Sequence, residues 1–151
     1  MYKLNLPEFE PTLRKKEGKV YIFDNIRKKY IILTPEEWVR QHFIHYLIDH
    51  LNYPRALFRV ESSLTYNRLQ KRSDILIRDR AGKPWMLIEC KSPEIKLTQQ
   101  AFNQVAVYNM TIGARYVAVT NGMVQYCFES AVSENGKVNF LDSFPEFPQE
   151  L

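Results

Sequence analysis

The chain has 151 residues, 45% of them hydrophobic and 25% charged, with a net charge of +4. That length supports one domain with a core of its own. No apolar run approaches the about 18 residues of a membrane span, so no membrane partner is expected. The opening "MYKLNLPEFEP" lacks the basic-then-apolar layout of a secretory signal, and a cytoplasmic location is expected. Cys90 and Cys127 lie in apolar, strand-like runs without C-x-x-C or Cys/His spacing, which reads as two buried free thiols.

Taken in chain order, a Pro-containing N-terminal segment leads to "KVYIFD" and "KKYIILT", which flank a short turn and read as a hairpin. "TPEEWVRQHFIHYLIDHL" follows as a helix. Thr34 is its N-cap, Pro35 its first residue, and Glu37 stands at the capping-box position. Val39, Phe43, Ile44, Leu47, Ile48 and Leu51 fall on one stripe. His42 and His45 face away from that stripe and His50 lies near its end, in a spacing that matches no zinc set. "ALFRVESSLTY" reads as a strand, "NRLQKR" as a loop, and "SDILIRD" and "KPWMLIECK" as strands around a turn at "RAGK". "LTQQAFNQVAVYNMTIG" reads as a second helix, capped by Thr98 and stopped by Gly113. "RYVAVT" and "VQYCFES" are strands about the turn "NGM", and the tail "DSFPEFPQEL" is read as irregular. The order describes an α/β domain with a mixed central sheet flanked by helices. Residues 84 to about 120 should form a right-handed parallel crossover. One domain is expected over 1–151, with its core at about 20–128.

The most apolar segment, "RSDILIRDRAGKPWMLIECKSPE", carries Asp74, Glu89 and Lys91. Alternation places Glu89 and Lys91 on one side of their strand with Leu87, and Met86, Ile88 and Cys90 on the other. If the two strands pair through "RAGK", Asp74 joins Glu89 and Lys91 at one end of the hairpin. Burying unpaired carboxylates is costly, and two that converge repel. A Mg²⁺ or Mn²⁺ ion with its preference for oxygen ligands relieves both problems. The competing reading is an ordinary salt bridge from Glu89 to Lys91 or Arg72.

The helices bring further polar groups toward that corner. Glu36 lies at the head of the core-facing stripe of the first helix, with Arg40 in the same sector. Glu37 sits further off and is explained by capping. On the second helix, Ala101, Gln104, Val105, Tyr108 and Ile112 share a face, so Gln104 and Tyr108 are expected to point toward the sheet.

The ordered set of a helix glutamate, Asp74, Glu89-Cys90-Lys91 and Gln104-x-x-x-Tyr108 resembles the PD-(D/E)XK nuclease superfamily. More closely, "LTPEEWVRQ", "RSDILI", "IECKSP", "NQVAVYN" and "VTNG" resemble the N-terminal nuclease domain of type I restriction enzyme R proteins over about residues 20–128. Ser73 stands where the superfamily name has proline, and nothing in this length encodes a motor. The resemblance implies a restriction-endonuclease-like core. It also implies Asp74, Glu89 and Glu36 (or Glu37) as metal ligands for Mg²⁺ or Mn²⁺, Lys91 as catalytic lysine, and Gln104 and Tyr108 as accessory site residues.

Charge is uneven. Basic residues gather before residue 33 and again at Arg68, Lys71 and Arg72, where they would meet nucleic-acid phosphates or form a plain solvated face. The expected activity is metal-dependent phosphodiester hydrolysis, on DNA first. The alternatives are a non-catalytic nucleic-acid-binding or protein-interaction module that keeps the fold, or an RNA-directed nuclease. A homodimer or a partner subunit is compatible with the sequence.

Overall fold

The computed structural model describes residues 2–61, 74–131 and 138–149, with the backbone alone at positions 61 and 74. Near the N-terminus, β1 (Leu13–Lys16), β2 (Lys19–Asp24) and β3 (Lys29–Ile32) form a three-stranded antiparallel sheet in the order β1-β2-β3. Helix α1 (Pro35–His45) follows. The main sheet takes its six strands in sequence order: β4 (Phe58–Glu61), β5 (Asp74–Arg78), β6 (Pro84–Cys90), β7 (Tyr116–Thr120), β8 (Gln125–Glu129) and β9 (Asn139–Phe140). Helix α2 (Gln99–Ile112) connects β6 to β7, which pair in parallel, while every other neighbour is antiparallel.

The alternation of β5 and β6 builds two cores, one on each face of the sheet. Ile75, Ile77, Met86, Ile88 and Cys90 pack with Val39 and Phe43 of α1 and with Leu47 just beyond it. Leu76 and Leu87 pack with Val105 and Tyr108 of α2. Because β6 is covered on both faces, its sequence is nearly continuously apolar. Glu89, buried at 5% exposure, therefore stands out. Both cysteines are free and buried, and burial pushes the Cys127 thiol up to about 12.

Several expectations change. "LRKK" was not read as a strand, since it lacks the branched and aromatic residues strands prefer; pairing with β2 makes it one. The first helix does not run regularly to Leu51. After His45 it widens, and the Leu51 N–H bonds to the Tyr46 carbonyl five residues back. His42 faces away from the apolar stripe and is nevertheless buried. Phe9 and Trp38 pack around it with ring centroids at 4.8 and 4.4 Å, because the N-terminal segment covers the side of α1 that the stripe left polar. The tail has no regular structure from residue 144 to 148, yet Phe147 is buried against Tyr53 and Trp85. The expected loop "NRLQKR" and the second half of "ALFRVESSLTY" lie outside the described residues.

Candidate active site

Strand register brings the acidic pair together. Asp74 is directly across from Glu89 in the β5–β6 ladder, so the first residue of one strand faces the penultimate residue of the other. The hairpin turn that fixes this register is held by Asp79, whose Oδ1 accepts the N–H groups of Ala81 and Lys83, both at 2.9 Å. Since β7 runs parallel to β6, Thr120 ends at the same edge. Its carbonyl accepts the Lys91 N–H at 2.8 Å, extending the pairing one residue beyond β6 and fixing where Lys91 stands. The Lys91 Nζ is 3.4 Å from Glu89 Oε2, so the simple ion pair is part of the site.

Glu36 approaches from α1, on the other face of the sheet. It is half-buried, and burial raises its carboxyl above the ordinary range. Arg40 and Lys91 pull it down, while the charge of Glu89 pushes it further up. The edge of the sheet thus gathers Glu89, Lys91 and Glu36 electrostatically, with Asp74 at the opposing register position. Among the described side chains, no three of His, Cys, Asp or Glu form a ready metal cage. The donor chemistry still fits a hard divalent cation, because two carboxyls repel at a partly desolvated corner that holds one lysine.

Glu37 has a different task from its neighbour. Its N–H bonds to Thr34 Oγ1 at 3.0 Å, as a capped helix requires. Its carboxylate joins a buried network: Oε1 accepts from Arg40 Nη1, and Oε2 accepts from Arg27 Nη2 at 3.1 Å and Gln41 Nε2 at 2.9 Å. Arg27 Nε and Gln41 Nε2 also donate to Asp24 Oδ2, at 2.7 and 3.1 Å. Burial alone would raise the Asp24 carboxyl; the Arg27 amide and guanidinium outweigh it and hold it below its usual value. This network ties the small sheet to α1. It was not anticipated, because its partners lie on either side of a hairpin and a helix whose relative placement no local pattern encodes.

Of the remaining candidates, Tyr108 is buried at 5% exposure on the Leu87 face of the sheet. Gln104 is exposed, which corrects its expected position toward the sheet. Arg68, Lys71 and Arg72 lie outside the described residues. A brace that sequence reasoning took only for a turn sits beside the site. Asn121 Nδ2 donates to the Ile95 carbonyl at 2.8 Å, and its Oδ1 accepts from the Met123 and Val124 amides, pinning the segment that follows Lys91.

The family described as the type I restriction enzyme R protein N terminus matches residues 35–145, from the first residue of α1 to the tail. The chain belongs to that family. No curated protein and no solved structure matches the chain. Membership in the restriction enzyme R protein N-terminal family carries a nuclease-related role in restriction–modification at a coarse level. The matched span contains α1, the whole described six-stranded sheet and α2, and leaves β1–β3 outside it. No helix among the described residues is long and apolar enough to cross a membrane.

Proposed function

We propose that the protein is a metal-dependent nuclease of the PD-(D/E)XK kind that hydrolyses phosphodiester bonds in DNA. The observation that carries the reading is the β5–β6 register, which sets Asp74 opposite a buried Glu89 whose carboxylate is 3.4 Å from the Lys91 ammonium. Asp74, Glu89 and Glu36 are the residues that would hold Mg²⁺ or Mn²⁺. When bound, such an ion supplies a Lewis acid for the scissile phosphate and a lowered pKa for a coordinated water. Lys91 holds the attacking water in place and offsets charge developing on the phosphate oxygens. Tyr108 packs against Leu87 and keeps the inner side of the corner dry, and the Asn121 brace fixes the backbone beyond Lys91. Water adds to phosphorus and releases a proton to solvent as the bond to the leaving sugar oxygen breaks, and the leaving oxygen takes up a proton from solvent.

A second reading is a binding module that keeps the fold without turnover. It draws on the same ion pair, which balances one carboxylate without a cation. The two are separated by incubating DNA and RNA, single- and double-stranded, with the protein in Mn²⁺ and in EDTA, beside Lys91→Ala. The nuclease reading expects Mn²⁺-dependent DNA cleavage that falls at least about 100-fold in Lys91→Ala, the scale of losing one transition-state donor. Equal cleavage by both proteins, or metal-independent binding alone, removes it.

A further inference from the structure

The small sheet outside the matched family region has two unlike faces. On β2, Ile22 and Asp24 are fully buried at 0% exposure, while Tyr21 and Phe23, which alternate with them, are half-buried. Directly opposed residues in antiparallel strands share a face. The register therefore gathers Arg14, Tyr21 and Ile32, then Phe23 and Tyr30, then Lys16 and Lys19 on the outward side. Contacts agree with this: the Arg14 guanidinium lies 4.3 Å from the Tyr30 ring centroid, and Phe23 meets Tyr30 edge-on at 5.2 Å. Arg14, Lys16 and Lys19 are exposed. No acidic residue of the three strands shares this face. Asp24 points inward to Arg27, and Glu17 occupies the β1–β2 turn at φ 52°.

From this face, we propose that the outward side of β1–β3 is a platform for single-stranded nucleic acid. Arg14, Lys16 and Lys19 hold phosphates, and Tyr21, Phe23 and Tyr30 stack on bases. Cations without acids, interleaved with partly exposed rings, answer the two repeating features of such a strand, its charge and its π-faces. A duplex hides its base faces within its own stack, so the rings select the single strand. The choice of polyanion rests on the nuclease reading above. The platform is not a loose appendage: Arg27 and Gln41 bind Asp24 of β2 and Glu37 of α1 together, and Glu36 immediately precedes Glu37. A strand held there has a fixed relation to the helix that serves the catalytic corner.

The test is fluorescence anisotropy of a labelled 20-nucleotide DNA, single-stranded or duplex, with the full chain in EDTA over a range of salt. The variants are Arg14→Gln/Lys16→Gln/Lys19→Gln and Tyr21→Leu/Tyr30→Leu, with folding checked by circular dichroism. Lys16→Gln/Lys19→Gln replaces the triple variant if that one unfolds. The charge variant should weaken binding at least tenfold at low salt and flatten the log K against log salt slope by about 2, at about 0.7 per phosphate contact. The tyrosine variant should weaken the single strand about tenfold or more, leave the duplex nearly unchanged, and keep the slope. Folded variants that bind like wild type, or rings whose loss affects both DNA forms equally, overturn the platform. Mn²⁺-dependent cleavage persisting in that case leaves the nuclease reading standing. The expected binding pattern with no cleavage keeps the platform and removes the nuclease.

Discussion

At the start of α1, two adjacent glutamates meet different surroundings. Glu37 takes donors from Arg27, Arg40 and Gln41 in a buried network, whereas Glu36 is half-buried and its carboxyl is raised by burial and by Glu89. Removing one member of a buried ionic set leaves the others uncompensated and is strongly destabilising. Glu37→Gln should therefore lose about 3 kcal/mol of unfolding free energy, read from urea denaturation. An acid whose folded pKa is raised disfavours folding once it is ionised. Glu36→Gln should thus keep or gain stability at pH 7 while losing metal-dependent cleavage. The opposite ranking of the two variants contradicts this division. Helical periodicity already placed Glu36 in the core-facing sector. Capping concealed the role of Glu37, because its partner Arg27, and Asp24 which shares that guanidinium, come from a hairpin whose docking no local pattern specifies.

Elements were legible where burial imposes a period. The alternation along β6 assigned Leu87 and Glu89 to one face and Met86, Ile88 and Cys90 to the other, and the packing agrees. It was less legible where a face is narrow. At 100° per residue, Gln104 sits about 70° from the centre of the Val105–Tyr108–Ile112 stripe, so it reaches the rim and solvent. The turn after β7 shows what "VTNG" does for the fold. Gly122 has φ +84°, and a Cβ there would come within 2.8 Å of the Leu4 side chain and 3.1 Å of Val39. The turn thus docks the N-terminal segment onto α1, with the Asn5 N–H bonded to the Gly122 carbonyl at 2.8 Å. Gly122→Ala should cost about 1–3 kcal/mol. A thermal midpoint equal to wild type would show that the turn tolerates a side chain.

Across the whole molecule, the mixed sheet with a helix on each face, the parallel β6–β7 step and the convergence of strand ends at one edge all followed from the order of patterns. The extra strands β1 and β9 did not, because pairing rather than propensity makes them. Two buried groups set the response to acid. Burial lowers the His42 imidazole, with a smaller push from His45, against the Trp38 carbonyl and Glu8, which favour its charged form. Below its ordinary value of 6.5 the unfolded chain binds a proton the folded chain resists, so stability falls as pH drops through that point. Asp24, held low, extends the loss below 3.8. Urea midpoints should decline from pH 7 to about 5.5 in wild type and less in His42→Phe; a wild-type midpoint flat over that range rules this out.

The proposed activity depends on a carboxylate corner that holds a cation. Crystals of the protein grown with Mn²⁺ test it most directly, by anomalous scattering. The account expects a peak between the Asp74 and Glu89 carboxylates, about 2.0–2.2 Å from their oxygens, that disappears in Glu89→Gln crystals. A Mn²⁺ peak elsewhere, or none at saturating metal with Asp74 and Glu89 turned apart, would contradict it.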